Sequence, residues 1–199
     1  MKTTLILVRH GETETNVRRK LHGENDTQTL NKTGKTQMEK TAKKLLEYCP
    51  SAIYSSNENR AVESAKIIAG FCKVTLRKIS GLQERNWGKF SGKSWSEVAK
   101  VLDKLSLEER YSYIPPKGES WESSFNRIKN AIDRVVLRNR GETIVVVTHG
   151  GTIRIIMPYL LNRPKEESFK HDPANASITA FEHLDGKFKQ LLTDNTSHL

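Results

Sequence analysis

The 199-residue chain is 36% hydrophobic and long enough to bury a full core, so one domain spanning 1–199 is the simplest reading, and no internal repeat or low-complexity tract argues against it. Its 33 Lys+Arg against 23 Asp+Glu leave a formal net charge of +10, which favours anionic partners, either phosphorylated small molecules or nucleic acid. No stretch approaches the ~20 apolar residues of a membrane span, the N-terminal apolar run is too short for a signal peptide, and Cys49 and Cys72 sit in no close-spaced metal or redox pattern, so a soluble, cytoplasmic protein with free thiols is expected.

Leu5-Ile6-Leu7-Val8 reads as a strand buried on both faces, and Arg9-His10-Gly11-Glu12-Thr13 falls at its end, where an open α/β sheet binds ligands. An arginine beside a histidine, with a glycine next that lets backbone approach closely, is a place to hold and attack an anion. Glu14 to Asp26 is polar and glycine-containing, which predicts a loop. From Lys32 to Tyr48 the apolar residues Met38, Ala42, Leu45 and Leu46 recur at helical spacing, and Pro50 ends the helix. A short strand, Ala52 to Ser55, precedes a helix that Asn57 would cap and Gly70 would close. Arg60 lies about one turn into it, so its guanidinium and the positive end of the helix dipole point toward one anion.

Val74 to Ile79 offers a third strand, followed by a loop from Leu82 to Gly88. Glu84 in that loop is either an exposed carboxylate or one held near apolar surface, where a carboxyl keeps its proton. Residues 92 to 118 look like an excursion over the site, with a helix through Val98, Val101, Leu102 and Leu105, then Tyr111, Tyr113 and Pro115-Pro116. Ser120 can cap a helix through Phe125, Ile128, Ile132, Val135 and Val136 that ends before Gly141. Ile144 to Thr148 is another β-branched strand, ended by His149-Gly150-Gly151 and followed by a helix through Ile153, Ile156 and Tyr159. Ser177 to Glu182 and Phe188 to Leu192, joined across Asp185-Gly186, read as a final hairpin.

Two parallel strands would thus deliver His10 and His149 to one sheet edge. The blocks around them resemble the histidine phosphatases, also called the phosphoglycerate mutase-like superfamily. The resemblance rests on Arg9-His10-Gly11-Glu12-Thr13 with Asn16, and on Ser55-Ser56 with Arg60-Ala61 and Ala65. It continues in Leu82 and Glu84 before Trp87-Gly88, in Pro116 with Gly118-Glu119-Ser120, and in Thr148-His149-Gly150-Gly151, all in the family's order. It implies a three-layer α/β/α sandwich with a mainly parallel sheet and an antiparallel edge strand, and a substrate-covering insertion at about 91–118. It further implies that neutral His10 attacks phosphorus, that Arg9, Arg60 and protonated His149 bind the phosphoryl oxygens, and that Glu84 protonates the departing alcohol. Asn16, His22, Gly23 and Gly150 are implied as substrate contacts.

A phosphoryl group carries its charge on three equatorial oxygens, so its transfer needs fixed cations, a nucleophile and an acid. The residues named supply each, and two guanidiniums with an imidazolium would stand in for a metal, so neither metal nor cofactor is expected. One nitrogen of His10 should donate to a backbone carbonyl, leaving the other free to attack. A metal-dependent hydrolase using His10, His22 and His149 is disfavoured, because close helical ligand spacing and an aspartate-rich block are both missing. A basic binding module is disfavoured too, since all five reactive positions are present and no aromatic, basic RNA-binding block is visible. The expected partner is a small anionic phosphorylated substrate, with neither nucleic acid nor membrane. The expected activity is hydrolysis of a small phosphomonoester, and the alternative is a cofactor-dependent phosphoglycerate mutase. The family's mutases place paired arginines before a proline run; here Glu108-Glu109-Arg110 precedes Pro115-Pro116, and a carboxylate in place of one arginine would repel a second phosphate.

Overall fold

Leu5 to Val8 are each no more than 1% exposed, and they form the middle of a strand, Thr3–Arg9 (β1), in a computed structural model that describes residues 1–23 and 27–199. The predicted loop after it begins with a short helix, Glu14–Val17 (α1), because Thr13 and Asn16 cap it reciprocally: the Thr13 hydroxyl accepts from the Asn16 N–H, and Asn16 Oδ1 accepts from the Thr13 N–H at 3.1 Å. The end of that predicted loop, 24–26, lies outside the described residues. Next come Lys32–Leu45 (α2), with a 3₁₀ turn at Leu46–Tyr48, then Ala52–Ser55 (β2) and Asn59–Cys72 (α3). Asn57 does not cap α3: the N-cap is Glu58, whose side chain makes no cap bond because it is drawn elsewhere. Gly70 does not close the helix either, which runs on to Cys72 and ends at Lys73 in the left-handed region, φ 54°.

Leu76–Lys78 (β3) is shorter than predicted. In 92–118 the chain makes Trp95–Leu102 (α4) and Leu107–Ser112 (α5), each opened by a serine–glutamate capping box, Ser94 with Glu97 and Ser106 with Glu109. Ser120 caps Trp121–Arg138 (α6) through the Ser123 N–H at 2.9 Å. Thr143–Thr148 (β4), Gly150–Leu161 (α7), Ile178–Leu184 (β5) and Lys187–Asn195 (β6) follow, and 3₁₀ turns at Ser80–Leu82, Gly88–Phe90 and Lys165–Lys170 complete the described elements.

Among the described residues, six strands form one sheet in the order β3-β2-β4-β1-β5-β6. The first four are parallel, and β5 and β6 pair antiparallel, so the expected antiparallel edge is a hairpin. Successive strand residues face opposite sides, so β1 sends Leu5 and Leu7 to one layer and Ile6 and Val8 to the other. The first pair packs with Ile144 and Val146 of β4 under α6 and α7; the second packs with Val145 and Val147 under α2 and α3. Burial on both faces is why these strands read as unbroken aliphatic runs. Arg9 is level with Thr148 in the β1–β4 register, so the next residues, His10 and His149, leave the sheet side by side. Trp87, Val98 and Leu102 form a separate cluster with Leu21 and Phe90, which seats α4 beside that edge. No described helix is long and apolar enough to cross a membrane.

Candidate active site

His10 is 2% exposed, and its backbone N–H donates to the Thr148 carbonyl at 2.9 Å, carrying the sheet ladder one residue past β1. Its ring Nδ1 lies 2.7 Å from the Gly11 carbonyl, which can only accept, so Nδ1 carries the hydrogen and Nε2 is left bare. Burial first, then the charges of Arg60, His149 and Arg9, push the His10 imidazole well below its ordinary pKa and hold it neutral. The Gly11 N–H donates to Ser64 Oγ at 3.1 Å, which ties the turn after His10 to α3. On the other side Asn175 Nδ2 donates to the His10 carbonyl at 3.0 Å.

The His149 ring centroid is 5.3 Å from that of His10. Arg60, the second residue of α3, is fully buried, as is His149. Between Arg60 and His149 lies a carboxylate that the sequence did not single out. Glu58 Oε1 accepts from Arg60 Nη2 at 2.8 Å, and Oε2 lies 2.7 Å from His149 Nε2 while accepting the Glu84 N–H at 2.8 Å. Burial alone would raise the Glu58 carboxyl, but His149, the hydrogen bond to it and Arg60 together hold it well below the usual carboxylate range. Arg9 Nη1 donates to the Pro173 carbonyl at 2.6 Å. Four buried nitrogens of these three side chains have no hydrogen-bond partner among the described residues: Arg9 Nε, Arg60 Nε and Nη1, and His149 Nδ1. Native interiors rarely leave buried polar atoms so, and two guanidiniums with spare donors beside a histidine can receive an anion.

Glu84 is half-buried and is met by backbone N–H groups rather than by apolar surface: Gly151 donates to Oε2 at 2.9 Å and Arg85 to Oε1 at 2.8 Å. The carbonyls of its loop are fastened from two sides. Thr148 Oγ1 donates to the Leu82 carbonyl at 2.7 Å and Thr152 Oγ1 to that of Gln83 at 2.9 Å, while Arg127 Nη1 on α6 donates to Gly81 and Gln83 at 3.1 and 3.0 Å. A glutamate far from His10 in sequence is thereby fixed beside His149.

Arg9, His10, Glu84 and Gly150 line one open cleft of about 390 Å³, with Asn16 and His22 on its wall. Asn16 Oδ1 is taken by Thr13 and accepts from Asn175 Nδ2 at 3.3 Å, and the His22 ring stands edge-on to His10 at 5.8 Å. Gly23 lines an adjoining cavity with Glu58, Gln83 and Arg127, not the cleft that holds His10. Trp87 and Trp95 form an aromatic corner of the cleft, and Arg19, Lys20 and Arg154 stand along it. Arg154 pairs with Asp172. Glu109 does not face the site: it caps Ser106, and Arg110 pairs with Asp103 at 3.0 Å. Among the described residues no three His, Cys, Asp or Glu side chains are grouped to hold a metal ion.

The family model described as histidine phosphatase superfamily (branch 1) matches residues 5–196. Phosphoglycerate mutase-like protein 4 of Arabidopsis thaliana is 35% identical over 98% of this chain and 86% of its own length. The metal-independent phosphoserine phosphatase of the same plant is 32% identical over 99% of this chain and 83% of its own. Among solved structures, a phosphoserine phosphatase mutant from Entamoeba histolytica in complex with phosphoserine superposes with a TM-score of 0.88 at 28% identity, covering 99% of both chains.

Proposed function

Because this chain belongs to the histidine phosphatase superfamily, branch 1, and is an enzyme of phosphoric ester chemistry, we propose that it hydrolyses a small phosphomonoester through a phosphohistidine on His10. The observation that carries this reading is the neutral His10 ring, locked by the Gly11 carbonyl so that Nε2 is the bare nitrogen, beside three cations with partnerless buried donors. In the first step the Nε2 lone pair forms a bond to phosphorus as the bond from phosphorus to the alcohol oxygen breaks. Glu84 gives that oxygen a proton and leaves as carboxylate. Arg9, Arg60 and His149 hold the three equatorial oxygens, where charge is concentrated in the transition state. In the second step Glu84 takes a proton from water, the hydroxyl oxygen bonds to phosphorus, and the N–P bond breaks to release phosphate and neutral His10. The charge clustered here supplies what a metal supplies elsewhere, and turnover proceeds without one.

Residues 91–118 act as the cover, with Trp95 turned onto the cleft. The substrate is a small phosphorylated metabolite, with phosphoserine a leading candidate because relatives along the whole chain bear that activity in their names. Hydrolysis is favoured over mutase chemistry because no guanidinium of the cover reaches the site: Arg110 is spent on Asp103. The mutase reading draws on Arg19 and Lys20, exposed cations along the cleft that a second phosphate could meet. A phosphometabolite panel ranked by kcat/KM, alongside 2- and 3-phosphoglycerate interconversion primed with the bisphosphate, separates the two. Rapid quenching with labelled substrate should leave acid-labile, base-stable phosphate on the protein, absent from His10→Ala. Label that persists in His10→Ala would overturn the assignment.

A further inference from the structure

Glu58 is the one carboxylate in the described structure that touches both Arg60 and His149, and the steps above do not use it. Its side chain is 9% exposed, at the N-cap of α3. A glutamate there ordinarily stays in water and complements the helix dipole, or bonds a first-turn N–H; this one makes no cap bond. Each of its contacts takes one edge of a cation and leaves another. It engages Arg60 Nη2, while Nε and Nη1 of the same guanidinium remain partnerless and buried. It engages His149 Nε2, while Nδ1 remains partnerless and buried. An internal stand-in for the substrate's phosphoryl group would take up every donor of the two side chains; Glu58 takes one from each and leaves Arg60 Nε and Nη1 and His149 Nδ1 without a partner among the described residues. The two histidines are thus oriented through opposite nitrogens, His10 through Nδ1 on a carbonyl and His149 through Nε2 on a carboxylate.

We propose that Glu58 is a positioning residue: by accepting from Arg60 Nη2 and His149 Nε2 it fixes both cations so that Arg60 Nη1 and His149 Nδ1 are presented to the phosphoryl oxygens. This rests on the phosphatase reading above. A carboxylate accepts and never donates, so it fixes the hydrogen of His149 on Nε2, and Nδ1 becomes a donor when the ring takes a second proton. Ser56 Oγ, also 2.7 Å from Nε2 and accepting the Glu58 N–H at 3.3 Å, keeps the pair in register. The Glu84 N–H on Glu58 Oε2 brings the general acid's backbone onto the same anchor, so one carboxylate sets the relative placement of three working residues. Carboxylates that orient metal-ligating histidines are worth roughly 10- to 100-fold in activity, and a loss of that order is expected where one orients a phosphate-binding histidine.

The test is histidine-selective nitrogen NMR on the full chain, with His149 assigned from a His149→Gln protein, alongside kinetics of Glu58→Gln. In the wild-type protein His149 Nε2 should carry hydrogen, with its proton displaced downfield by the carboxylate, and in Glu58→Gln that displacement should vanish. Glu58→Gln should lose about 10- to 100-fold in kcat for p-nitrophenyl phosphate with little change in KM, and vanadate, which takes the trigonal bipyramidal shape of the transition state, should bind more weakly in step, because the cations that meet its oxygens are no longer held. Lost folding alone would lower the active fraction, and with it the apparent kcat at unchanged KM, but it would leave the vanadate affinity and the His149 signal of the folded molecules unshifted. Should Glu58→Gln not fold, Glu58→Asp keeps the charge at shorter reach and should show a smaller kcat loss with a partial shift of the Nε2 proton. A bare His149 Nε2 in the wild-type protein would overturn the inference with no variant needed. Wild-type turnover with an indistinguishable Glu58→Gln overturns it and leaves the phosphatase reading standing. A wild-type protein inert on every phosphomonoester, with His149 Nε2 hydrogen-bonded to Glu58, overturns the phosphatase reading and leaves the pairing standing.

Discussion

Gly151 sits where no side chain fits. Its N–H donates to Glu84 Oε2 at 2.9 Å, and a Cβ built on it would overlap Oε1 of the same carboxylate and lie 2.9 Å from Cδ. Gly151→Ala should therefore push the carboxylate aside and behave as a partial copy of Glu84→Gln. General acid catalysis is worth about 10²–10⁴-fold, and the need for it falls as the leaving group becomes more acidic. Both variants should damage hydrolysis of an alkyl phosphate far more than that of p-nitrophenyl phosphate. The ratio of the two kcat values is the measurement, and equal loss on both substrates would remove Glu84 from the acid's role. Glu84, like Arg9, His10, Arg60 and His149, stands inside a short block, at a strand end, a helix start or a loop before a tryptophan, which is why a sequence can point to it. Asn175 and Glu58 stand in no such block of their own. Asn175 meets His10 across 165 residues, and Glu58 looks like any helix-opening glutamate until folding brings β4 beside it. The clue available was its place two residues before an arginine already assigned to an anion.

The Glu84 loop is an element without regular structure, and its rigidity is borrowed from α6. Arg127 donates twice to Glu119, at 3.0 and 2.7 Å, and to three loop carbonyls, those of Gly81, Gln83 and Glu84. Arg85, 3% exposed, lies over Trp87 and Trp121 at 4.5 and 5.4 Å and donates to the carbonyls of Glu119 and Tyr113. Burial brings its guanidinium down to about 10, still a cation at neutral pH. Arg127→Met takes the cation from Glu119 and a donor from the carbonyls of Gly81 and Glu84, while the Gln83 carbonyl keeps Thr152. Breaking a fully buried pair costs ~3–5 kcal/mol, but these side chains are 26% and 17% exposed, so about 2 kcal/mol is expected. Thermal unfolding should register that loss, and kcat on alkyl phosphates should fall with it as Glu84 loosens. An Arg127→Met protein with wild-type stability and kcat would show that the loop holds itself. Strands and long helices were legible because aliphatic runs and helical spacing report burial directly. Helix α1 was not, since three of its four residues are polar and its existence depends on Asn16 turning back to cap Thr13. The misplaced start of α3 has a similar cause, for Asn57 has the chemistry of a cap while the chain turns one residue later.

At the scale of the molecule, the sheet edge collects charge that water would otherwise dilute, and stability must answer to pH through it. Held neutral and buried, His10 binds protons less readily in the folded chain than in the unfolded one, whose histidine has its ordinary value of 6.5. Its contribution is therefore present above pH ~6.5 and is lost as pH falls through the lower folded value, because protons favour the unfolded state. Glu58 has the same sign in a lower window: its carboxyl is held below the ordinary 4.5, so its contribution is present above pH ~4.5 and is lost as acid approaches the folded value. Thermal unfolding from pH 8 downward should show a decline beginning below about 6.5 and steepening below about 4.5. His10→Ala should shrink the first part, to which the half-buried His171 and His198, also lowered by burial, contribute with the same sign, and should spare the second; Glu58→Gln should do the reverse. Activity should follow the upper group differently, because a nucleophile that stays neutral keeps working in moderate acid: the acid limb of kcat/KM due to His10 should lie below pH 6.5. A limb centred at or above that value, or a His10→Ala protein whose unfolding temperature keeps the wild-type slope between pH 7 and 5, would mean that His10 takes its proton as readily folded as unfolded, and an imidazole that has taken it has no lone pair with which to attack phosphorus.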